Sequence, residues 1–432
     1  MLVDRTTLSD LEIFPAADGG RGVFQLIDRT ATWRGRAALK RRLENPSADV
    51  QTIRRTQDAV RFLQLHPDIL RLSNPQLEDV AAYLRSNITV SGGSRLGVRM
   101  EQAWLALRYR DLLRYLEQGA RATVALFEQI SRASSLLLEH DAPPLLGGLA
   151  RYLAHAAALA TRARHESPSL LGLDHALRRQ YRDTLERALE HLAELDALNA
   201  MAATTSAFGW VIPELVDSDA FSIDAEDVFH PFVEGAVPNP VRLSGGEPMV
   251  FLTGPNMAGK TTYMRSIALV VLLGQMGMGV PARRARFTPV EVLFTSLNPT
   301  DDLRAGLSYF LVEVLRVKEA ASILVEGRRA LVLFDEVFKG TNVRDALDAS
   351  AEVILGFARA RRSGFVFSSH LAELVTVLES SPAIRFCYFD GDIVHDEPHF
   401  TYRLRDGVCD KRFGLVLLRR AGVPELLERI SA

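Results

Sequence analysis

Met249-Val-Phe-Leu-Thr253, Gly254-Pro-Asn-Met-Ala-Gly259-Lys260-Thr261 and the run that follows, Thr262-Tyr-Met-Arg-Ser-Ile-Ala268, decide the architecture of the second half of this chain. An apolar strand passes into a loop that fits GxxxxGK[ST], and the loop opens a helix, which is the context the pattern requires. Glycines let successive N–H groups wrap a phosphate, and the positive end of the helix points at it. Lys260 is expected to reach the β and γ phosphate oxygens and Thr261 to ligate Mg²⁺. Gly254, Pro255, Asn256, Met257, Ala258, Gly259 and Thr262 are expected to complete the cradle.

Downstream, Ala330-Leu-Val-Leu-Phe334 reads as a second apolar strand that delivers Asp335 and Glu336 at its C-terminal end, where open α/β sheets bind ligands. Asp335 is placed to hold Mg²⁺ through water, and Glu336 to orient or deprotonate the attacking water. A third run, Phe365-Val-Phe-Ser-Ser369, ends at His370, a candidate γ-phosphate sensor. Alone, a histidine after a strand would more often be a packing or capping residue; its position at a third strand end, after the two motifs above, favours the functional reading.

Working outward, short β-rich runs at 249–253, 330–334, 365–368 and 386–389 alternate with helical stretches, which predicts a sheet with a substantial parallel portion covered on both faces. Upstream of about residue 225 the texture is helical. Leu177, Tyr181, Leu185, Leu189, Leu192 and Leu195 recur at helical spacing and predict one long amphipathic helix. Further helices are expected near Trp33–Leu43 and Gln102–Leu116, with interruptions at Ser91–Ser94 and Pro143–Gly148. The expected division is therefore a helical domain over 1–225 and an α/β domain over 226–432.

The 432 residues carry a formal net charge of −2, so any nucleic-acid contact must use local Arg-rich surfaces rather than bulk attraction. Cys387 and Cys409 form no metal-spaced or disulfide framework, and the apolar run 267–278 is too short to span a bilayer. A cytoplasmic protein with no membrane association is expected. His395-Asp-Glu-Pro-His399 reads as a polar turn rather than a metal site.

The stretch from Thr253 to Ala268, with Asn-Met inside the loop and Tyr-Met-Arg after it, closely resembles the ATPase motif of the MutS family. Asp335–Asp345 looks like that family's Asp-Glu strand end and following loop, and Ser368–Leu374 like its His segment. Asp301–Glu313 resembles its signature segment, which in this ATPase class meets the γ-phosphate across a dimer interface; the family's usual Ser-Gly-Arg-Ser reads Ala305-Gly-Leu-Ser308 here. Phe229–Glu234 looks like the start of the family's ATPase domain, Asp410–Leu415 with Ala421–Glu425 like its C-terminal dimerisation region, and Thr30–Leu43 like the start of its helical core.

The resemblance implies an ABC-class P-loop ATPase domain of MutS type preceded by an all-α core and lever domain. It implies ATP and Mg²⁺ as ligands, a homodimer in which Ser308 acts in trans, and catalytic roles for Glu336 and His370. It also implies binding of mismatched, branched or distorted DNA and contact with repair proteins. Tyr402 stands where an adenine-contacting ring is expected, although strand packing explains it equally well. The family's N-terminal mismatch-reading domain is expected to be missing ahead of this core, and Phe232-Val-Glu234 is not its substitute. Arg34, Arg36, Lys40, Arg41 and Arg42 read as a solvated helix face rather than a DNA contact. The alternative function is an ATP-switched protein-interaction module without direct DNA recognition.

Overall fold

A computed structural model of the protein describes residues 1–15, 20–69, 74–88, 104, 107–167, 169–297, 309–338, 342–371, 373–394, 397–409, 420 and 422–430. The chain forms two compact units. One comprises Met1–Leu26, Glu44–Ile53 and Gly209–Ala432, the other Ile27–Leu43 and Arg54–Phe208.

The first unit begins with β1 (Leu2–Val3) and α1 (Arg5–Asp10), and α2 (Val23–Ile27) follows. Helices α3 (Trp33–Glu44), α4 (Val50–Leu65), α5 (Asn74–Arg85), α6 (Arg110–Glu139), α7 (Pro144–Glu166), α8 (Leu170–His175) and α9 (Arg182–Ala207) build the helical unit. In α6 the buried Leu116, Ala120, Thr123, Phe127, Ile130, Ser134 and Leu137 recur every three or four residues, which turns one stripe of the helix into the core. The small side chains of Ala150, Ala157, Ala160 and Ala163 on the buried side of α7 keep the packing close.

Two helical expectations change. The interruption expected over Pro143–Gly148 falls earlier, between Glu139 and Pro144, because Pro144 opens α7 at the first position, where its missing N–H costs no hydrogen bond. The Leu177–Leu195 periodicity is not one helix: a π-helical turn, Ala176–Gln180, separates α8 from α9. That turn buries Arg178, whose guanidinium donates to both carboxylate oxygens of Asp174 at 2.6 and 2.5 Å and to the carbonyl of Ile88 at 2.9 Å. A buried cation so completely matched holds the extra residue of the wider turn in place.

The other unit contains β2 (Glu214–Leu215), β3 (Ser222–Val228), β4 (Asn239–Ser244), β5 (Met249–Thr253), α10 (Lys260–Met276), β6 (Arg284–Phe287), β7 (Val292–Ser296), α11 (Tyr309–Val325), β8 (Ala330–Asp335), α12 (Val343–Phe357), β9 (Gly364–Ser368), α13 (Glu373–Leu378), β10 (Ile384–Val394), β11 (Glu397–Asp406) and α14 (Val423–Ile430). A seven-stranded sheet has the order β1-β7-β8-β9-β5-β10-β11, and all neighbours run parallel except β10 and β11. A four-stranded sheet, β2-β6-β3-β4, lies in the same unit.

Parallel strands buried on both faces need apolar residues at every position, which is why β5, β7 and β9 are buried throughout. One set of alternate residues, Phe251, Phe294, Phe334, Phe365 and Phe367, packs against Val317 and Ala320 of α11 and Ala346, Ile354 and Phe357 of α12. Among the described residues no helix is long and apolar enough to cross a membrane.

The compact units do not divide at residue 225. Leu2 and Val3 pair with Val292 and Leu293 at the edge of the large sheet, so the first residues belong to the α/β unit, as do 209–225. A two-residue strand is shorter than any periodicity window, and its partner lies about 290 residues away, so nothing local marks it.

Candidate functional site

Three parallel strands in the order β8, β9, β5 end side by side, and their C-terminal ends carry every catalytic candidate that the structure describes. After β5, Gly254 takes φ of 116° and Gly259 φ of 98°, a region open to glycine but costly for residues with a Cβ. Between them Asn256–Ala258 makes a single 3-10 turn, and Gly259 leads straight into α10. The loop thus turns back on itself and leaves the positive end of a 17-residue helix at its mouth.

Lys260, the first residue of α10, is buried. Its Nζ donates to the carbonyl of Gly254 at 2.5 Å and lies 3.5 Å from Glu336 Oε1. The pair is 2% and 5% exposed, so each charge depends on its partners rather than on water. Glu336 follows β8 with φ of 52°, outside the usual range for a side chain of its size, and its N–H is held by the carbonyl of Ser368 at 3.1 Å. Its other carboxylate oxygen is 3.7 Å from Nδ1 of His370, which is more than half exposed.

Asp335 accepts hydrogen bonds from the Thr261 hydroxyl on one carboxylate oxygen and from the Ser368 hydroxyl on the other. Asp335 and Ser368 face each other in the β8–β9 register, which makes their contact a consequence of strand pairing. A hydroxyl beside a carboxylate is the oxygen-rich chemistry that a hard divalent cation selects. Sequence reasoning assigned no role to Ser368; its place at the end of an apolar run, two residues before His370, was the available signal.

Beside the loop lies a cleft of about 450 Å³. Its walls include Phe229, Val233 and Val237 from the segment between β3 and β4, together with Met257, Thr262 and Tyr402. Tyr402 holds φ of 56°, and its ring comes within 3.5 Å of the point where a Cβ on Gly259 would sit. Buried Asn239 maintains this conformation. It donates to the carbonyl of Tyr402 at 2.9 Å and accepts from the N–H of Leu404 at 2.7 Å, bracketing the strained residue. Asn239 has no sequence signal of its own, since its partners are 163 and 165 residues away.

His230 forms the buried floor of the same cleft. Burial, reinforced by repulsion from Arg265, lowers its pKa to about 4 against an opposing pull from Glu12, and its Nδ1 accepts from the N–H of Phe232 at 3.4 Å. With the folded-state pKa depressed, the unfolded chain protonates first. The stability tied to this group is therefore present above about pH 6.5 and falls as pH drops towards 4, by about 2 kcal/mol between pH 6.5 and 5. Denaturant unfolding at pH 7.5 and 5 should show a steeper loss for the wild type than for His230→Gln; equal losses would contradict a buried neutral imidazole.

Among the other candidates, Gly254, Pro255, Met257, Ala258, Gly259, Thr261 and Thr262 lie in the loop or first helical turn, and the backbone of Asn256 does too. Ser308, with residues 301–307, lies outside the described residues, as do residues 410–419 and His395. Among the described residues no group of His, Cys, Asp and Glu could hold a metal ion, and His399 lies within β11 rather than in the polar turn expected there. Basic residues of α3 meet acids: Arg34 with Glu78, Arg36 with Asp28, and Arg41 and Arg42 with Glu194.

A family model for MutS domain III matches residues 6–202, and one for MutS domain V matches residues 250–431. The DNA mismatch repair protein MutS of Staphylococcus haemolyticus (strain JCSC1435) is 31% identical over 251 residues, which cover 57% of this chain and 28% of that protein. The protein of the same name from Staphylococcus carnosus (strain TM300) is 31% identical over 256 residues, 58% of this chain and 29% of that one. The matched stretch is thus less than a third of either relative's length. Both domain matches fall in family order, and with them the chain belongs to the MutS family.

Proposed function

We propose that the protein is a Mg²⁺-dependent P-loop ATPase of the ABC class that works as an ATP-switched homodimer in the cytoplasm and binds mismatched, branched or otherwise distorted DNA. The observation that carries this reading is the convergence of Lys260, Thr261, Asp335, Glu336 and His370 at three adjacent strand ends. Family membership supports it further, because the relatives are DNA mismatch repair proteins by name.

In this reading the triphosphate lies along the loop, and Lys260 exchanges the Gly254 carbonyl for phosphate oxygens. Thr261 and Asp335 supply fitting oxygens that would hold Mg²⁺, which when bound would supply positive charge beside the phosphates. Ser368 keeps the Asp335 carboxylate turned towards Thr261. Glu336 accepts the proton of the attacking water, and His370 senses the γ-phosphate beside it. The adenine ring occupies the cleft against Tyr402, whose backbone Asn239 has already fixed, so binding meets little ordering cost. Ser308 of one protomer completes the site of its partner, and hydrolysis resets the dimer. Residues 1–225 supply the greater part of the helical core and lever, and 226–432 most of the ATPase domain.

ATP hydrolysis by the full chain, measured beside its binding to a mismatched duplex and a four-way junction at rising salt, tests both parts. Mg²⁺-dependent hydrolysis with DNA binding that weakens steeply with salt is expected. Hydrolysis with no DNA binding in either ATP or ADP would leave the protein-interaction reading, to which the net charge of −2 and the acid-paired arginines of α3 would then belong.

A further inference from the structure

Several polar groups on the lining of the cleft beside the loop are already engaged with the protein itself. Asn239 divides its amide between the carbonyls of Val237 and Tyr402 and the N–H of Leu404. The Tyr263 hydroxyl donates to the carbonyl of Pro240 at 2.7 Å, and the Ser266 hydroxyl to that of Thr262 at 2.8 Å.

His230 differs from these. Its side chain lines the cleft, and the residue is 6% exposed. Nδ1 accepts from the Phe232 N–H at 3.4 Å, and burial keeps the imidazole neutral, with a pKa lowered to about 4, so the ring proton sits on Nε2. No described residue accepts from Nε2, and that nitrogen is not sealed from the surface, which leaves its N–H open to the cleft. The donor is also held in place. The Val233 N–H closes a turn on the His230 carbonyl at 3.1 Å, and the Phe232 ring centroid lies 5.8 Å from that of the imidazole. A buried donor without an acceptor is costly, and a ligand that brings the acceptor recovers that cost.

We propose that His230 is a base-binding residue whose Nε2–H donates to a ring nitrogen of the purine held in the cleft. This rests on the reading that the cleft takes the adenine of ATP. Apolar walls and the Tyr402 ring hold a flat base by contact area, which leaves it free to turn in its own plane. One fixed donor that meets an in-plane lone pair removes this freedom. The ring nitrogens N1, N3 and N7 of adenine carry such lone pairs, whereas its amino group is a donor and would oppose the imidazole N–H. A base that presents its amino group or a C–H at this point strands the donor, and a site built around one hydrogen bond rejects the analogue that lacks it.

Binding of ATP, 1-deaza-ATP, 3-deaza-ATP and 7-deaza-ATP to the full chain at pH 7.5, followed by calorimetry, tests this. Each analogue replaces one ring nitrogen by C–H and keeps the triphosphate. One of the three should bind the wild type about tenfold more weakly than ATP, and the other two nearly as well as ATP. His230→Phe keeps a ring in the packing without the donor; it should bind ATP about tenfold more weakly and no longer tell that analogue from ATP. His230→Gln, whose side-chain amide supplies a donor in place of Nε2–H, should still discriminate.

Equal binding of ATP and all three analogues by the wild type would overturn the proposal, as would discrimination that persists in His230→Phe. Should His230→Phe not fold, His230→Leu, equally without a donor, must lose the same discrimination. Inorganic tripolyphosphate separates this proposal from the reading beneath it. If ATP binds no better than tripolyphosphate, the cleft does not take the base and both fail; if ATP binds better but the analogues do not differ, the role of His230 alone fails.

Discussion

Glu336→Gln is expected to bind ATP with near wild-type affinity and to lose steady-state hydrolysis by about a hundredfold or more. The reason lies in where the residue is held. Its backbone is fixed in a strained conformation by the Ser368 carbonyl, and its side chain is buried between Lys260 Nζ and the imidazole of His370. Glutamine preserves shape and one acceptor oxygen for Lys260, so the loop should keep its geometry, while the melting temperature should fall because the Lys260 ammonium, 2% exposed, no longer faces a carboxylate. What it lacks is a basic oxygen able to take a proton from water. Nucleotide titration beside single-turnover hydrolysis checks this, and a chemical step within about fivefold of wild type would remove Glu336 from its role.

Lys260→Ala should fail earlier, at binding. Removing the ammonium eliminates the charge that meets the phosphates, and a loss in ATP affinity of about a hundredfold or more is expected. It also strands the Glu336 carboxylate, 5% exposed and deprived of this cation, at a cost of about 3 kcal/mol in stability. These two consequences separate in a double variant. Lys260→Met with Glu336→Gln replaces the ion pair by neutral groups and should recover most of the lost stability while remaining unable to bind ATP. If the double variant is as unstable as Lys260→Ala, the pair is not the source of the loss.

Much of this site was legible in the amino-acid order because its chemistry is local. Gly254 to Thr261 is a closed unit in which glycine spacing, backbone curvature and helix start are fixed within one short stretch. Asp335, Glu336 and His370 could be singled out because an apolar run that fills a parallel strand must end, and the polar residues just past its end face the ligand edge of the sheet.

The less legible contacts were long-range. The Asp335–Ser368 pairing depends on strand register, Asn239 reaches Tyr402 across 163 positions, and Asp10 reaches Thr295 across 285. Each residue type is unremarked in sequence because Asn, Ser and Asp at such places ordinarily read as turn or surface residues. The π-turn at Ala176–Gln180 was hidden for a related reason. One inserted residue shifts the leucine pattern by less than the spacing rule resolves, and its presence is marked instead by a buried Arg178 matched to Asp174.

By itself the sequence determined the order of helices and strands around Gly254–Thr261, the side chains at the strand ends and the family resemblance, all of which follow from patterns a few residues long. Only the tertiary structure decided that residues 1–10 belong to the α/β unit and bracket the chain on both sides of 298–308. The physical reason is that hydrogen bonds between groups nearly three hundred residues apart become specific once the sheet has brought their backbones together, and no local propensity encodes that meeting.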